Sequence, residues 1–265
     1  MLQRRSRLGK YEVMQLLGKG GMSLVYKGRS LDDGSAVALK VPHTRLHTNR
    51  GAMRQFFEEG RTLVHLHHPN IVSVRAVGQQ DGVPYIVMEY IDGLTLTDEI
   101  KTRGIFATQD ACRLLRPVAD ALDYSHSQKI FHCDVKPGNI KLTRNRQPVL
   151  VDFGIVQSAG IPWYEGNPRG SAWYMSPEQA SRKPADGRSD QYSLAVVAYE
   201  MLAGRVPFDG SSLEAIVALQ REALPPIPTV WSESVKTVMR RALEKDPGKR
   251  FSSCAEFVNA LIWAR

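Results

Sequence analysis

Asp134, Lys136, Asn139 and Asp152 have the residue types and the spacing for phosphoryl transfer. The first three lie within His132-Cys133-Asp134-Val135-Lys136-Pro137-Gly138-Asn139, and Asp152 follows in Val151-Asp152-Phe153-Gly154. A carboxylate such as Asp134 can take the proton of an attacking hydroxyl, and the Lys136 ammonium can neutralise a phosphoryl group in transit. Asn139 and Asp152 offer the hard oxygen ligands that Mg²⁺ prefers.

Such a constellation needs a rigid frame, and the chain changes character near Gly93. Before it, Tyr11 to Leu17, Leu24 to Arg29, Ala36 to Val41, Val72 to Gly78 and Tyr85 to Glu89 are rich in β-branched and aromatic residues. Turn signals such as Asp33-Gly34 and Asp81-Gly82 separate them, so a five-stranded antiparallel sheet is expected. One helical pattern interrupts it, from Arg50 to His65, with Met53, Phe56, Phe57, Leu63 and Val64 as its apolar face. Beyond Gly93 the pattern is mainly helical. Thr108 is the expected N-cap of a helix carrying Leu114, Leu115, Val118, Ala119 and Leu122 at helical spacing. Ser189 is the expected cap of a second long helix ended by Gly204, and Ser253 with Glu256 has the form of a capping box. The fold class is therefore α+β.

Composition narrows the functional classes. The chain has 265 residues, 43% hydrophobic and 23% charged, enough for one large domain or two lobes with a real core. No apolar run has the length of a membrane span, and Arg4, Arg5 and Arg7 precede no apolar signal core. Cys112, Cys133 and Cys254 form no CxxC pair, which suggests reduced thiols and a cytoplasmic location. The net charge of +8 comes from dispersed Lys and Arg without an aromatic stacking platform, so no nucleic-acid partner is expected. His65, His67 and His68 lack the cysteine or carboxylate that would complete a zinc set and are read as structural.

Gly18-Lys19-Gly20-Gly21-Met22-Ser23-Leu24-Val25 falls between two expected strands, where a dinucleotide-binding glycine motif would open a helix instead. Glycines in such a flap let backbone N–H groups approach phosphate oxygens, although an ordinary glycine-rich hairpin has the same pattern. Val37-Ala38-Leu39-Lys40 occupies the next strand, and Ile86-Val87-Met88-Glu89-Tyr90-Ile91-Asp92-Gly93 joins the two halves. Downstream lie Ser176-Pro177-Glu178, Asp190, and Arg250 in Asp246-Pro247-Gly248-Lys249-Arg250-Phe251.

Taken in this order, the motifs from Tyr11 to Leu261 resemble those of the protein kinases. Lys136 followed by Pro137 is similar to the Ser/Thr class, and Gly-Gly-Met-Ser with Ser-Pro-Glu-Gln resembles the bacterial Ser/Thr kinases. The resemblance implies a bilobal kinase domain over residues 1–265, with an N-lobe over 11–88, a hinge at 89–92 and a C-lobe from 93. It implies transfer of the ATP γ-phosphoryl group to protein Ser or Thr, with ATP and Mg²⁺, or Mn²⁺ in its place, as cofactors. Asp134 and Lys136 would be catalytic together with Lys40 and Glu59, which would hold Lys40 from the helix with Glu58 as its rival. Leu17, Gly18, Lys19, Gly20, Gly21, Met22, Ser23, Leu24, Val25, Ala38, Lys40, Met88, Glu89 and Ile91 would contact the nucleotide. Asn139 and Asp152 would hold the metal, and Glu178 would pair with Arg250.

Three departures from the pattern stand out. Ser23 replaces a third glycine, Lys141 stands where the family has an apolar residue beneath adenine, and Cys133 stands where it most often has Arg. That Arg pairs with a phosphorylated residue in the activation segment, and a neutral thiol makes no charge-assisted bond to phosphate. The expectation is a kinase that does not need phosphorylation there, with Ser171 at the place of the family's Thr that contacts the catalytic Asp and Lys. A pseudokinase scaffold or a small-molecule phosphotransferase are the alternatives. The first usually loses one of the residues present here, and the second usually lacks the downstream set.

Overall fold

The computed structural model describes residues 4–20, 23–153 and 168–264. These fall into two compact units that part between Asp92 and Gly93.

The first unit is an antiparallel sheet with one α-helix. Its strands are β1 (Arg7–Leu8), β2 (Tyr11–Lys19), β3 (Ser23–Ser30), β4 (Ala36–Pro42), β5 (Val74–Gln80) and β6 (Val83–Glu89), in the order β1-β2-β3-β4-β6-β5. The sixth strand beyond those expected is β1, whose two residues pair with Tyr11 and Glu12 and are too few to show a period. The segment expected to start at Val72 joins the sheet at Val74; Val72 is buried ahead of the strand, and the Ser73 carbonyl accepts the Glu89 N–H at 2.9 Å. Asp81 and Gly82, both at positive φ, form the two-residue turn of the β5–β6 hairpin. Val13, Val37, Leu39, Val41 and Val87 make its dry face, each worth about 1.5–3 kcal/mol of burial.

Helix α1 (Arg50–Leu63) starts at Asn49, whose side chain accepts the Ala52 N–H. It buries Ala52, Phe56 and Leu63 and packs on β5 and β6. Gly60 permits that approach, because a Cβ there would lie 2.8 Å from Ile86 Cγ1 and 2.9 Å from Val77 Cγ2.

The second unit contains a small sheet of β7 (Gly93–Thr95), β8 (Ile140–Thr143) and β9 (Pro148–Leu150). Its helices are α2 (Leu96–Arg103), α3 (Thr108–Ser127), α4 (Pro168–Ala172), α5 (Pro177–Ala180), α6 (Gly187–Ala203), α7 (Leu213–Glu222), α8 (Glu233–Ala242) and α9 (Cys254–Trp263). The expected stripe on α3 is buried against α6 and α9. A Cβ at Gly93 would fall 1.8 Å from the Leu142 carbonyl oxygen, so glycine there lets β7 lie on β8.

Three helix starts differ from expectation. Thr108 is the first helical residue of α3, and the cap position is Ala107, which has no capping side chain. Helix α6 starts two residues before Ser189, on Asp186, whose carboxylate accepts the Arg188 N–H; Ser189 is buried and bonds Glu178 instead. At α9 only half the capping box forms. Ser253 accepts the Glu256 N–H, but the Glu256 carboxylate takes the N–H and hydroxyl of Ser252 rather than the cap residue's own N–H. Gly204 ends α6 in the left-handed region at φ 71°, as expected.

Candidate active site

The loop from His132 to Asn139 is held by the first turn of α6. Asp190, fully buried, accepts the backbone N–H of His132 at 2.8 Å, that of Cys133 at 2.7 Å, and His126 Nε2 at 2.8 Å. From the other side Gln179 Nε2 donates to the Cys133 carbonyl at 2.8 Å. These bonds hold Cys133 at φ 59°, a conformation that costs a non-glycine residue roughly 1 kcal/mol or more and persists only when its surroundings dictate it. Gln179 was not singled out from the sequence. Its signal is the capping box it forms with Ser176 at the start of α5, which places the amide beside the loop.

His132 is the inner support. Its ring lies 4.5 Å from that of Phe153, Nδ1 accepts the Asp134 N–H, and Nε2 therefore donates to the Val151 carbonyl at 3.2 Å. Burial holds this imidazole below its ordinary range, so it stays neutral. Burial also pushes the Cys133 thiol up, with Asp190 and Asp134 adding to it. Where an arginine would be charged, this chain carries a protonated thiol.

The remaining residues converge on Asp134. Its Oδ2 accepts Lys136 Nζ at 2.6 Å and Asn139 Nδ2 at 2.9 Å, which leaves Oδ1 to meet a hydroxyl. Asn139 Nδ2 also bonds the Asp134 carbonyl at 2.9 Å, so the amide turns its Oδ1 away. The Val151 N–H donates to the Asn139 carbonyl at 2.9 Å, which brings the backbone before Asp152 next to Asn139. Asp152 itself sits at φ 57°. An amide oxygen and a carboxylate held at one end of β8 and β9 are a donor set suited to a hard divalent cation. Lys136 Nζ bonds Ser171 Oγ of α4 at 2.7 Å, so the ammonium ties the loop to the segment beyond residue 167.

Glu178 and Arg250 form the expected ion pair with parallel bonds of 2.9 and 2.7 Å. Lys141 extends along β8, and its ammonium donates to the Gly93 carbonyl at 3.2 Å. The Tyr174 hydroxyl donates to Glu200 at 2.6 Å, and Trp173 Nε1 to Asp209 at 3.1 Å.

The first unit gathers its own set. Leu17, Gly18 and Lys19 lie on β2, with Gly18 opposite Val25 and Lys19 opposite Leu24. The Gly20 N–H donates to the Ser23 carbonyl at 2.8 Å and narrows the turn, while Gly21 and Met22 lie outside the described residues. Lys40 stands on β4 between Val25 and Ile86, and Ala38 is paired with buried Met88. Glu89 ends β6 opposite Val37, and Ile91 follows. Glu59 is carried on α1 one residue before the close approach at Gly60; its side chain, and with it the choice over Glu58, lies outside what the structure describes.

Comparison with known proteins accords with this arrangement. The profile of the protein kinase domain matches residues 11–261. A probable serine/threonine-protein kinase of Clostridium perfringens is 39% identical over 258 residues, covering 95% of this chain and 38% of its own. PrkC of Bacillus subtilis is 33% identical, over 94% of this chain and 39% of its own, and PknB of a Mycobacterium tuberculosis strain is 37% identical, over 96% and 42%. The chain thus spans about two fifths of the length of these curated relatives. The crystal structure of the M. tuberculosis PknI kinase domain superposes with a TM-score of 0.78 at 30% identity, covering 98% of both chains. The fold, the pinned loop and the match across nearly every element agree, and the chain belongs to the protein kinase domain family.

Proposed function

We propose that this chain is the catalytic domain of a bacterial signalling kinase that transfers the ATP γ-phosphoryl group to Ser or Thr hydroxyls of protein substrates. The observation that carries this reading is the Lys136 ammonium, bonded at once to the Asp134 carboxylate and the Ser171 hydroxyl. A cation shared by the base and a downstream segment suits a site that orients a hydroxyl and neutralises a transferring phosphoryl group. The names of the relatives support Ser/Thr specificity.

In this reading Asp134 Oδ1 accepts the proton of the substrate hydroxyl while Oδ2 stays fixed by Lys136 and Asn139. Asn139 Oδ1 and the Asp152 carboxylate would hold Mg²⁺, or Mn²⁺ in its place, which supplies charge neutralisation at the phosphate oxygens. Residues 11–88 act as the N-lobe: Lys40, oriented by Glu59, binds phosphate, Leu17 to Val25 and Ala38 cover the nucleotide, and Met88, Glu89 and Ile91 meet the base. Residues 89–92 act as the hinge and those from 93 as the C-lobe. Buried free thiols suit a reducing, cytoplasmic setting, and among the described residues no helix is long and apolar enough to cross a membrane. The protonated thiol of Cys133 suits activity without activation-segment phosphorylation. Incubation with γ-labelled ATP and either a basic protein substrate or aminoglycosides and choline tests the class: label in protein Ser/Thr is expected, and label in the small molecules alone would overturn it.

A further inference from the structure

Gln220, near the end of α7, is fully buried and lies far in sequence from every residue assigned above. Its amide nitrogen donates to the carbonyls of two successive residues, Ala172 at 3.2 Å and Trp173 at 2.6 Å. Its amide oxygen accepts the Tyr192 hydroxyl of α6 at 2.8 Å. Behind Tyr192 stands Lys245, whose ammonium approaches the tyrosine oxygen at 3.3 Å and caps α7 at the Gln220 carbonyl at 2.8 Å. The direction of this chain of bonds is set at both ends. An ammonium only donates, so the tyrosine oxygen accepts from Lys245 and its hydrogen passes to Gln220; carbonyls only accept, so the amide nitrogen must face Ala172 and Trp173.

The two carbonyls so held directly follow Ser171, the residue that bonds Lys136. Trp173 is tied a second time through its ring nitrogen to Asp209, and the Tyr174 N–H returns to the Ser171 carbonyl at 3.1 Å. One buried side chain on α7 therefore sets the backbone on which Ser171 reaches the catalytic lysine. We infer that Gln220 is a positioning residue of the phosphotransfer site: by holding the Ala172 and Trp173 carbonyls it keeps Ser171 on Lys136 while a protein substrate is engaged.

The inference rests on the kinase reading above, and the experiment separates the two. Rates of transfer from ATP to a protein substrate are measured for the wild type, Gln220→Met, Ser171→Ala and the double variant, with ATP affinity measured by direct titration and folding by circular dichroism. A displacement of the segment by ~1 Å predicts a ~10-fold to 100-fold loss in kcat for Gln220→Met at unchanged ATP affinity. Because Gln220 acts through Ser171, the double variant should be no slower than the slower single variant, a non-additivity that loss of folded protein alone does not produce. Losses that multiply, or a folded Gln220→Met with wild-type kcat, would overturn the inference. Should Gln220→Met fail to fold, Tyr192→Phe removes one hydroxyl at nearly constant volume and enters the same cycle. A smaller loss, non-additive with Ser171→Ala, is then expected, and an unchanged or multiplying rate overturns the inference. No transfer by the wild type would instead refute the kinase reading itself.

Discussion

Replacing Arg250 by Met isolates what the buried ion pair contributes. The guanidinium is fully buried and Glu178 nearly so, at 0% and 8% side-chain exposure. Besides its bonds to Glu178, Arg250 donates to the backbone carbonyls of Glu244 at 2.7 Å, Arg188 at 2.9 Å and Lys245 at 3.1 Å. Removing one partner of a buried pair costs about 3–5 kcal/mol, chiefly by stranding the other charge. Each carbonyl that loses its donor adds roughly 1 kcal/mol, while protonation of Glu178 limits the charge penalty. Arg250→Met should therefore lose about 5 kcal/mol in urea denaturation followed by circular dichroism at neutral pH. The double variant Glu178→Met/Arg250→Met strands no charge and should recover about 2 kcal/mol or more relative to Arg250→Met. Burial alone would raise the Glu178 carboxyl, but Arg250 and Ser189 hold it below its ordinary 4.5. A folded value below the unfolded one contributes stability above pH 4.5 that is lost as pH falls further, a component the double variant should lack. An Arg250→Met loss under about 1 kcal/mol, or a double variant no more stable than Arg250→Met, would refute this reasoning.

Alkaline pH should destabilise the protein. Burial pushes Cys112 up to about 11 from 9.0 and raises Cys133 and Cys254, so the folded state keeps protons that the unfolded chain releases. Stability is then lost as pH rises above 9.0, against a gain from Lys245, which burial lowers to about 8 from 10.5. With several thiols opposing one amine, denaturant midpoints should fall above pH 9.0, and a rising midpoint would contradict these assignments. Cys133 predicts insensitivity to phosphatase. Treatment that strips the activation segment should leave the transfer rate within about twofold, whereas silencing of the enzyme would show that a phosphate there is needed.

The architecture was legible wherever local pattern and local physics agree. The short apolar, Val-containing run Ala36–Val41 and the Asp81-Gly82 turn mark strands because such side chains suit a buried extended backbone and Asp-Gly suits a two-residue hairpin turn. The two-residue strand at Arg7 carries no period, and Thr108 and Ser189 misled as caps because any Ser or Thr near a helix start looks like one. Which residue caps depends on where the chain enters, and at α6 that residue is Asp186, three positions ahead of Ser189. At the site, Asp134, Lys136 and Asn139 were legible because they share one loop and their chemistry is local. Gln179, His126 and Gln220 were not, because each acts through a contact far along the chain. His126, for example, bonds Asp190 sixty-four residues away.

The most direct test of the central claim is the rate of phosphate transfer from γ-labelled ATP to a protein substrate by purified Asp134→Asn beside the wild type. Asparagine preserves the size of the side chain and accepts Lys136 but cannot take the hydroxyl proton, so a folded variant should lose on the order of 10²-fold or more in turnover. Near-normal turnover by folded Asp134→Asn would contradict the account.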